Sequence, residues 1–314
     1  MKVIFMGTPL LAATALEKLI GSKHEVLAVV TQPDKASGRG MKTTYSPVKQ
    51  TALDAGIRIL QPVSIRDGDD AEEIRALNAD IFVVAAFSQL LPKWFLEIAP
   101  KGCINIHPSL LPKYRGASPL RGPIINGDPT FGVTIMKMAE KLDAGDILLQ
   151  KEFPMEEKET VDTLTPKAAK IGAEMLIEAL EGIEAGTITQ IPQDDAQSSY
   201  ITQLKKEDGR IRFADPADMI ERQIRACAPW PSAFTKLGGK TFKIWDADVK
   251  DLPEGAQASG VPGTVVYVDK KNLYIECGVD CLSLNEVQME GKKRMTIEEF
   301  LRGRKIEKGS VFGE

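Results

Sequence analysis

Two apolar runs constrain the fold more than any other feature of the chain. Residues 25–31 (EVLAVVT) and 80–86 (DIFVVAA) are hydrophobic almost without alternation. A strand with one wet face alternates apolar and polar residues. A strand buried on both faces reads as a continuous apolar run, the pattern of parallel sheets covered by helices. A shorter run at 3–6 precedes them and ends in a Gly7-Thr8-Pro9 turn. Helical stretches are expected at 10–20, with Leu16, Leu19 and Ile20 on one face, at 47–55 and at 69–77, with a brief strand at 57–60. Strands separated by helices predict βαβ units and an N-terminal α/β domain with a Rossmann-like, mostly parallel sheet. The first turn lacks G-x-G-x-x-G, so no NAD is expected.

The strand beginning at Cys103 carries different side chains. Ile104 and Ile106 point to one face, Asn105 and His107 to the other, because strand side chains alternate with period two. Pro108 removes a ladder donor and ends the strand. An amide and an imidazole therefore emerge side by side at the end of an apolar strand, where open α/β sheets bind ligands. The chain has only two histidines, His24 and His107. Neutral imidazole can take a proton from a nucleophile and return it to a leaving group. A carboxamide N–H can hold the oxygen of a tetrahedral intermediate. A carboxylate can orient the imidazole, and Asp143 is the candidate, in the turn 141–146 between strands expected at 131–138 and 147–153. Amide, imidazole and carboxylate together describe acyl transfer without a covalent nucleophile. Ser109 has no G-x-S-x-G elbow around it. Sequence does not place Asp143 beside His107. A strand-end histidine satisfied by its neighbours, and a turn aspartate capping its own backbone, are the plain alternatives.

The remaining chain divides at a polar stretch. Residues 32–46 form a long glycine-containing loop carrying Lys35, Arg39 and Lys42, either a functional loop or a solvated linker. A helix is expected at 166–186, beginning at Pro166, and residues 190–206 read as an interdomain linker. After a helix at 220–227 the period changes to two. Short strands are expected at 234–237, 241–247, 264–269, 272–277 and 282–288, with hairpin turns at Gly238-Gly239 and Lys270-Lys271. This predicts a small C-terminal β-barrel of OB-like type. The expected domains are 1–189, the linker 190–206 and 207–314. The four cysteines lack metal-ligand spacing, so no metal is expected and reduced, cytoplasmic thiols are the plain reading. Met1 runs straight into a core strand, and no apolar run approaches the ~20 residues of a membrane span, so neither a signal peptide nor a membrane is expected.

At this point the motifs converge. Asn105-Ile106-His107-Pro108-Ser109-Leu110-Leu111-Pro112, then Tyr114-Arg115-Gly116, Gly132-Val133-Thr134-Ile135 and Leu142-Asp143-Ala144-Gly145 resemble the 10-formyltetrahydrofolate-dependent formyltransferases. The resemblance extends along essentially the whole chain to the methionyl-tRNA formyltransferase family, through Gly7-Thr8-Pro9, Thr31-Gln32-Pro33-Asp34, Gly38-Arg39-Gly40, Ser46-Pro47-Val48-Lys49 and Pro229-Trp230-Pro231. It implies Asn105, His107 and Asp143 as catalytic residues. It implies Ser109, Leu110, Leu111 and Pro112, with Phe87 and Leu90, as the binding site of the co-substrate 10-formyltetrahydrofolate. It implies initiator methionyl-tRNA as the partner, contacted by Lys35, Arg39 and Lys42 and by a C-terminal tRNA-binding domain, with a monomer expected. Net charge is −4, so any tRNA binding must come from clustered rather than overall charge.

Overall fold

The long apolar runs become the middle of one sheet. The computed structural model describes residues 1–37 and 42–313, and the chain divides into two compact units. The first holds residues 1–120, 130–154 and 164–202. In chain order its strands and helices start with β1 (Lys2–Gly7), α1 (Leu10–Ile20) and β2 (Glu25–Val30). A hairpin of β3 (Lys35–Ser37) and β4 (Lys42–Thr44) follows, within the stretch expected as a loop. Next come α2 (Pro47–Asp54), β5 (Ile59–Leu60), α3 (Ala71–Ala76), β6 (Ile81–Ala85), α4 (Lys93–Leu96), β7 (Cys103–His107) and β8 (Arg115–Gly116). After α5 (Arg121–Asn126), which belongs to the second unit, the chain forms β9 (Thr130–Lys137), β10 (Ile147–Pro154), α6 (Val161–Ala185) and β11 (Tyr200–Ile201).

Seven strands pair in the order β10-β9-β7-β6-β1-β2-β5. β7, β6, β1, β2 and β5 are parallel, while β9 runs antiparallel to β7 and β10 antiparallel to β9. Burial explains the sequence pattern: Val3 to Met6 and Ile81 to Val83 are fully enclosed. One face packs Ile4, Met6, Val30, Phe82 and Val84 against Ile74 and Phe95 from α3 and α4. On the other face α6 passes so close to β7 that a Cβ on Gly172 would stand 2.7 Å from the Ile106 side chain.

Two boundaries differ from expectation. α6 starts at Val161 and carries Pro166 inside it. Thr160 and Thr163 explain this, since each accepts from the other's backbone N–H at 2.9 and 3.1 Å, a reciprocal cap upstream of the proline. Residues 190–202, expected as linker, are paired into the first unit: Ile191 bridges Ile147, and β11 pairs in parallel with β8. Their polarity reads as solvation in sequence, but several of these side chains have partners inside the unit.

The second unit holds 121–129, 155–163 and 203–314. α7 (Ala217–Cys227) precedes β12 (Ala233–Leu237), β13 (Lys240–Lys250), β14 (Val265–Val268), β15 (Leu273–Glu276), β16 (Cys281–Met289), β17 (Met295–Thr296) and α8 (Ile297–Gly303). The antiparallel sheet runs β12-β13-β16-β15-β14, with β17 on β16. Gly238 and Gly239 both have positive φ, which a two-residue hairpin turn requires. Phe242, Phe300 and Phe312 stack edge to face at the centre of its core. All four cysteines are free and buried, and burial pushes the Cys103 and Cys277 thiols up to about 12. No helix among the described residues is long and apolar enough to cross a membrane.

Candidate active site

β7 delivers Asn105 and His107 to the carboxyl end of an interior strand, between β6 and β9. Register sets Asn105 beside Val84 and Met136, and His107 beside Thr134. The strand stops because Ser109 N–H folds back onto the His107 carbonyl at 2.9 Å. His107 is buried, and its Nε2 donates to the Tyr114 carbonyl at 3.0 Å. A carbonyl only accepts, so Nε2 carries the hydrogen and Nδ1 of the neutral ring is a free acceptor. Nδ1 lies 3.8 Å from Asp143 Oδ1, an acceptor facing an acceptor at more than hydrogen-bond distance. Burial pushes the His107 pKa down, against the opposing pull of the Asp143 charge and the Tyr114 carbonyl. The ring is neutral at pH 7, and a proton arriving at Nδ1 meets a carboxylate.

Asp143 is held from both ends. Its Oδ2 accepts from Gly116 N–H at 2.8 Å, and its backbone carbonyl accepts from Gln193 Nε2 at 2.9 Å. Its φ is 48°, in the left-handed region. Ala86, Ser88 and Tyr114 share that conformation, so the loops after β6 and β7 and the turn before β10 all carry left-handed residues other than glycine. Such backbone collects at functional sites.

The turn 109–112 is fixed by its own Ser109 and by two side chains to which the sequence assigned no role, Thr134 and Gln150. Thr134 Oγ1 donates to the Ser109 carbonyl at 2.7 Å and accepts from Leu111 N–H at 3.3 Å. Gln150 Nε2 donates to the Leu111 carbonyl at 2.8 Å, and Ser109 Oγ to the Lys113 carbonyl at 2.8 Å. Period-two alternation along β9 could have shown Thr134 facing this turn. Gln150 lies one strand further out, beyond such reasoning. The six residues expected to bind the donor divide by burial. Ser109, Leu111 and Phe87 are buried, Leu110 and Pro112 half-buried, and Leu90 is exposed.

Both feet of the 32–46 stretch are anchored. Gln32 Nε2 donates to the Phe87 carbonyl at 3.0 Å, and Gln61 Nε2 to the Gln32 carbonyl at 2.9 Å. Lys49 pairs with Asp34, and Thr31 and Ser46 hydroxyls meet at 3.1 Å. Arg39 and the side chains of Lys35 and Lys42 lie outside the described residues. Among the described residues no cluster of three His, Cys, Asp or Glu side chains forms a metal-ligand set.

The formyl transferase family pattern matches residues 1–180, and that of the formyl transferase C-terminal domain matches 203–305. A methionyl-tRNA formyltransferase of Lachnospira eligens is 50% identical over 315 residues, covering 100% of both chains. The chain belongs to the methionyl-tRNA formyltransferase family. Two solved structures share the fold of this family member. One is an N-formyltransferase of Helicobacter canadensis in complex with folinic acid and dTDP-3-aminofucose (TM-score 0.69, 20% identity, 92% of this chain and 99% of that one). The other is a methionyl-tRNA formyltransferase of Clostridium thermocellum (TM-score 0.57, 19% identity, 80% and 94%). The C-terminal family match begins at residue 203, where the main run of the second unit begins.

Proposed function

We propose that this protein transfers the formyl group of 10-formyltetrahydrofolate to the α-amine of methionine esterified to initiator tRNA, for translation initiation. The observation that carries the chemistry is the buried imidazole whose Nε2 is committed to Tyr114 and whose Nδ1 stands 3.8 Å from Asp143. The full-length relative at 50% identity supports the acceptor. The donor supplies the formyl carbon. Asn105 donates its amide N–H to the formyl oxygen as the amine nitrogen bonds to that carbon. Nδ1 of His107 takes the amine proton, Asp143 stabilises the resulting imidazolium, and the proton returns to the leaving nitrogen as the old C–N bond breaks.

The donor lies against the loops after β6 and β7 in this reading, its flat ring face on apolar side chains and its N10-formyl group toward Asn105 and His107. Leu90, Leu110 and Pro112 offer accessible apolar surface there, and Ser109, Leu111 and Phe87 hold the loops in shape. Lys35, Arg39 and Lys42 contact the acceptor end of the tRNA, and residues 207–314 form its second binding surface. The protein acts as a cytoplasmic monomer. The test is a formylation assay with one donor and three acceptors: methionyl initiator tRNA, methionyl elongator tRNA and an amino-sugar nucleotide. Turnover only with the first supports the reading. Turnover with the amino sugar, or with none of the three, overturns it.

A further inference from the structure

We propose that Gln193 is a positioning residue for formyl transfer, fixing the Asp143 turn against His107 with both ends of its amide; this assignment rests on the function proposed above. Its Nε2 donates to two carbonyls of that turn, Asp143 at 2.9 Å and Gly145 at 2.7 Å, and both amide hydrogens are thereby used. Its Oε1 accepts from Arg115 Nε at 3.1 Å and Nη2 at 2.8 Å. The orientation of the amide is thus determined. Reversed, it would set an oxygen against two carbonyls and an NH2 against a guanidinium.

Arg115 is fully buried, and its Nη1 donates to Asp195 Oδ1 at 2.8 Å and the Tyr200 hydroxyl at 3.2 Å. The same short strand supplies the other grip on Asp143, because Gly116 N–H holds the carboxylate. That strand has no slack. β8 pairs with β11, and a Cβ on Gly116 would lie 2.5 Å from the Ile201 carbonyl oxygen. Segment 193–201 therefore controls the carboxylate through Gly116 and the turn backbone through Gln193. Asp143 holds a left-handed φ of 48° that is strained for a residue with a Cβ, so its turn needs such bonds to persist. Misplacing a reacting group by about 1 Å can cost roughly 100-fold in rate.

A role confined to satisfying Arg115 is separable from positioning. Gln193→Glu keeps an oxygen for Arg115 but removes both N–H donors and sets negative charge against the two carbonyls. In the full-length protein we expect a lower melting temperature from the two lost bonds and, at an assay temperature where the variant is folded, a kcat lowered about tenfold or more with a donor KM within about twofold, the split produced by losing an interaction made only in the transition state. In an Asp143→Asn background the same change should add less than about twofold, because the carboxylate it positions is gone. If Gln193→Glu does not fold, Gln193→Met, which also strips the buried Arg115 of an acceptor and so lowers the melting temperature, is read in the same two backgrounds by its kcat and donor KM split alone. Wild-type kcat in the variant, or a full tenfold further loss in the Asp143→Asn background, overturns the assignment. Absence of turnover in the wild-type protein is a different result and overturns the proposed function instead.

Discussion

His107 Nε2 and the Tyr114 carbonyl are 3.0 Å apart, and this one bond both shapes and orients the site. It spans seven residues, closing the turn that runs from Pro108 to Lys113. It also commits one ring nitrogen, so only Nδ1 is left to take up or release a proton. Tyr114 can present its carbonyl this way because its φ is 61°, a conformation fixed from outside by the Ser199 hydroxyl on its N–H at 2.9 Å.

The first expectation concerns pH. In the unfolded chain the ring titrates near 6.5, and in the folded one burial lowers that value. Above 6.5 both states are neutral and the group contributes no pH dependence. Below 6.5 the unfolded chain binds a proton that the folded chain refuses, so stability declines as pH falls toward the folded pKa. Wild-type protein should therefore lose more stability than His107→Asn between pH 7 and pH 5, read from urea midpoints. Equal losses would mean that the folded ring is protonated. The acid limb of kcat/KM should lie below 6.5 for the same reason.

Removing the three central groups should be read in kcat. Asn105→Ala should cost about 3 kcal/mol of transition-state stabilisation, roughly 100-fold. His107→Ala should cost about 100-fold or more, and Asp143→Ala should lower kcat in the same way while leaving donor KM nearly unchanged. Steady-state kinetics with saturating donor would decide, and near-normal turnover in His107→Ala would remove the mechanism.

How far sequence reached depends on the range of each constraint. Local periodicity placed β1, β2, β6 and β7, because each is a short apolar run with a reason to be buried, and it put Asn105 and His107 on one face of β7. Asp143 was readable as a turn residue only. Its meeting with His107 is made by Gly116 and Gln193, which are 27 and 50 residues away from it. The 190–202 segment reads as a solvated linker from its polarity, yet Gln193, Asp195 and Tyr200 accept hydrogen bonds from a buried guanidinium. Pro166 reads as the start of α6, and a reciprocal threonine cap further upstream moves that start to Val161.

Gly132 tests whether the 109–112 turn shapes the donor pocket. A Cβ there would fall 2.3 Å from Leu110 Cδ2 and 2.5 Å from the Lys151 carbonyl oxygen. Both contacts are too short for a real Cβ, so Leu110 must move and the β10 backbone at Lys151 must shift with it. Gly132→Ala should raise donor KM severalfold and destabilise the protein by about 1–3 kcal/mol, the usual range for overpacking. A donor KM equal to that of the wild type, measured beside the melting temperature, would place Leu110 outside the pocket.

Charge makes the last expectation the most demanding. Residues 207–314 carry 17 Lys and Arg against 18 Asp and Glu, and the whole chain has a net charge of −4. Affinity for tRNA must then come from local clusters, and the proposed one, Lys35, Arg39 and Lys42, stands close together in sequence on a segment whose two feet are tied down by Gln32, Asp34 and Ser46. Each phosphate neutralised contributes roughly 0.7–0.9 to the slope of log affinity against log salt, so three engaged cations should give a slope of about −2 to −3 from this segment alone. Arg39→Ala should flatten the measured slope by about one and impair formylation of charged tRNA without changing donor KM. Binding titrations from low to moderate salt on both proteins would show it. A salt-independent affinity in the wild type, or an identical slope in Arg39→Ala, would take this segment out of the tRNA interface.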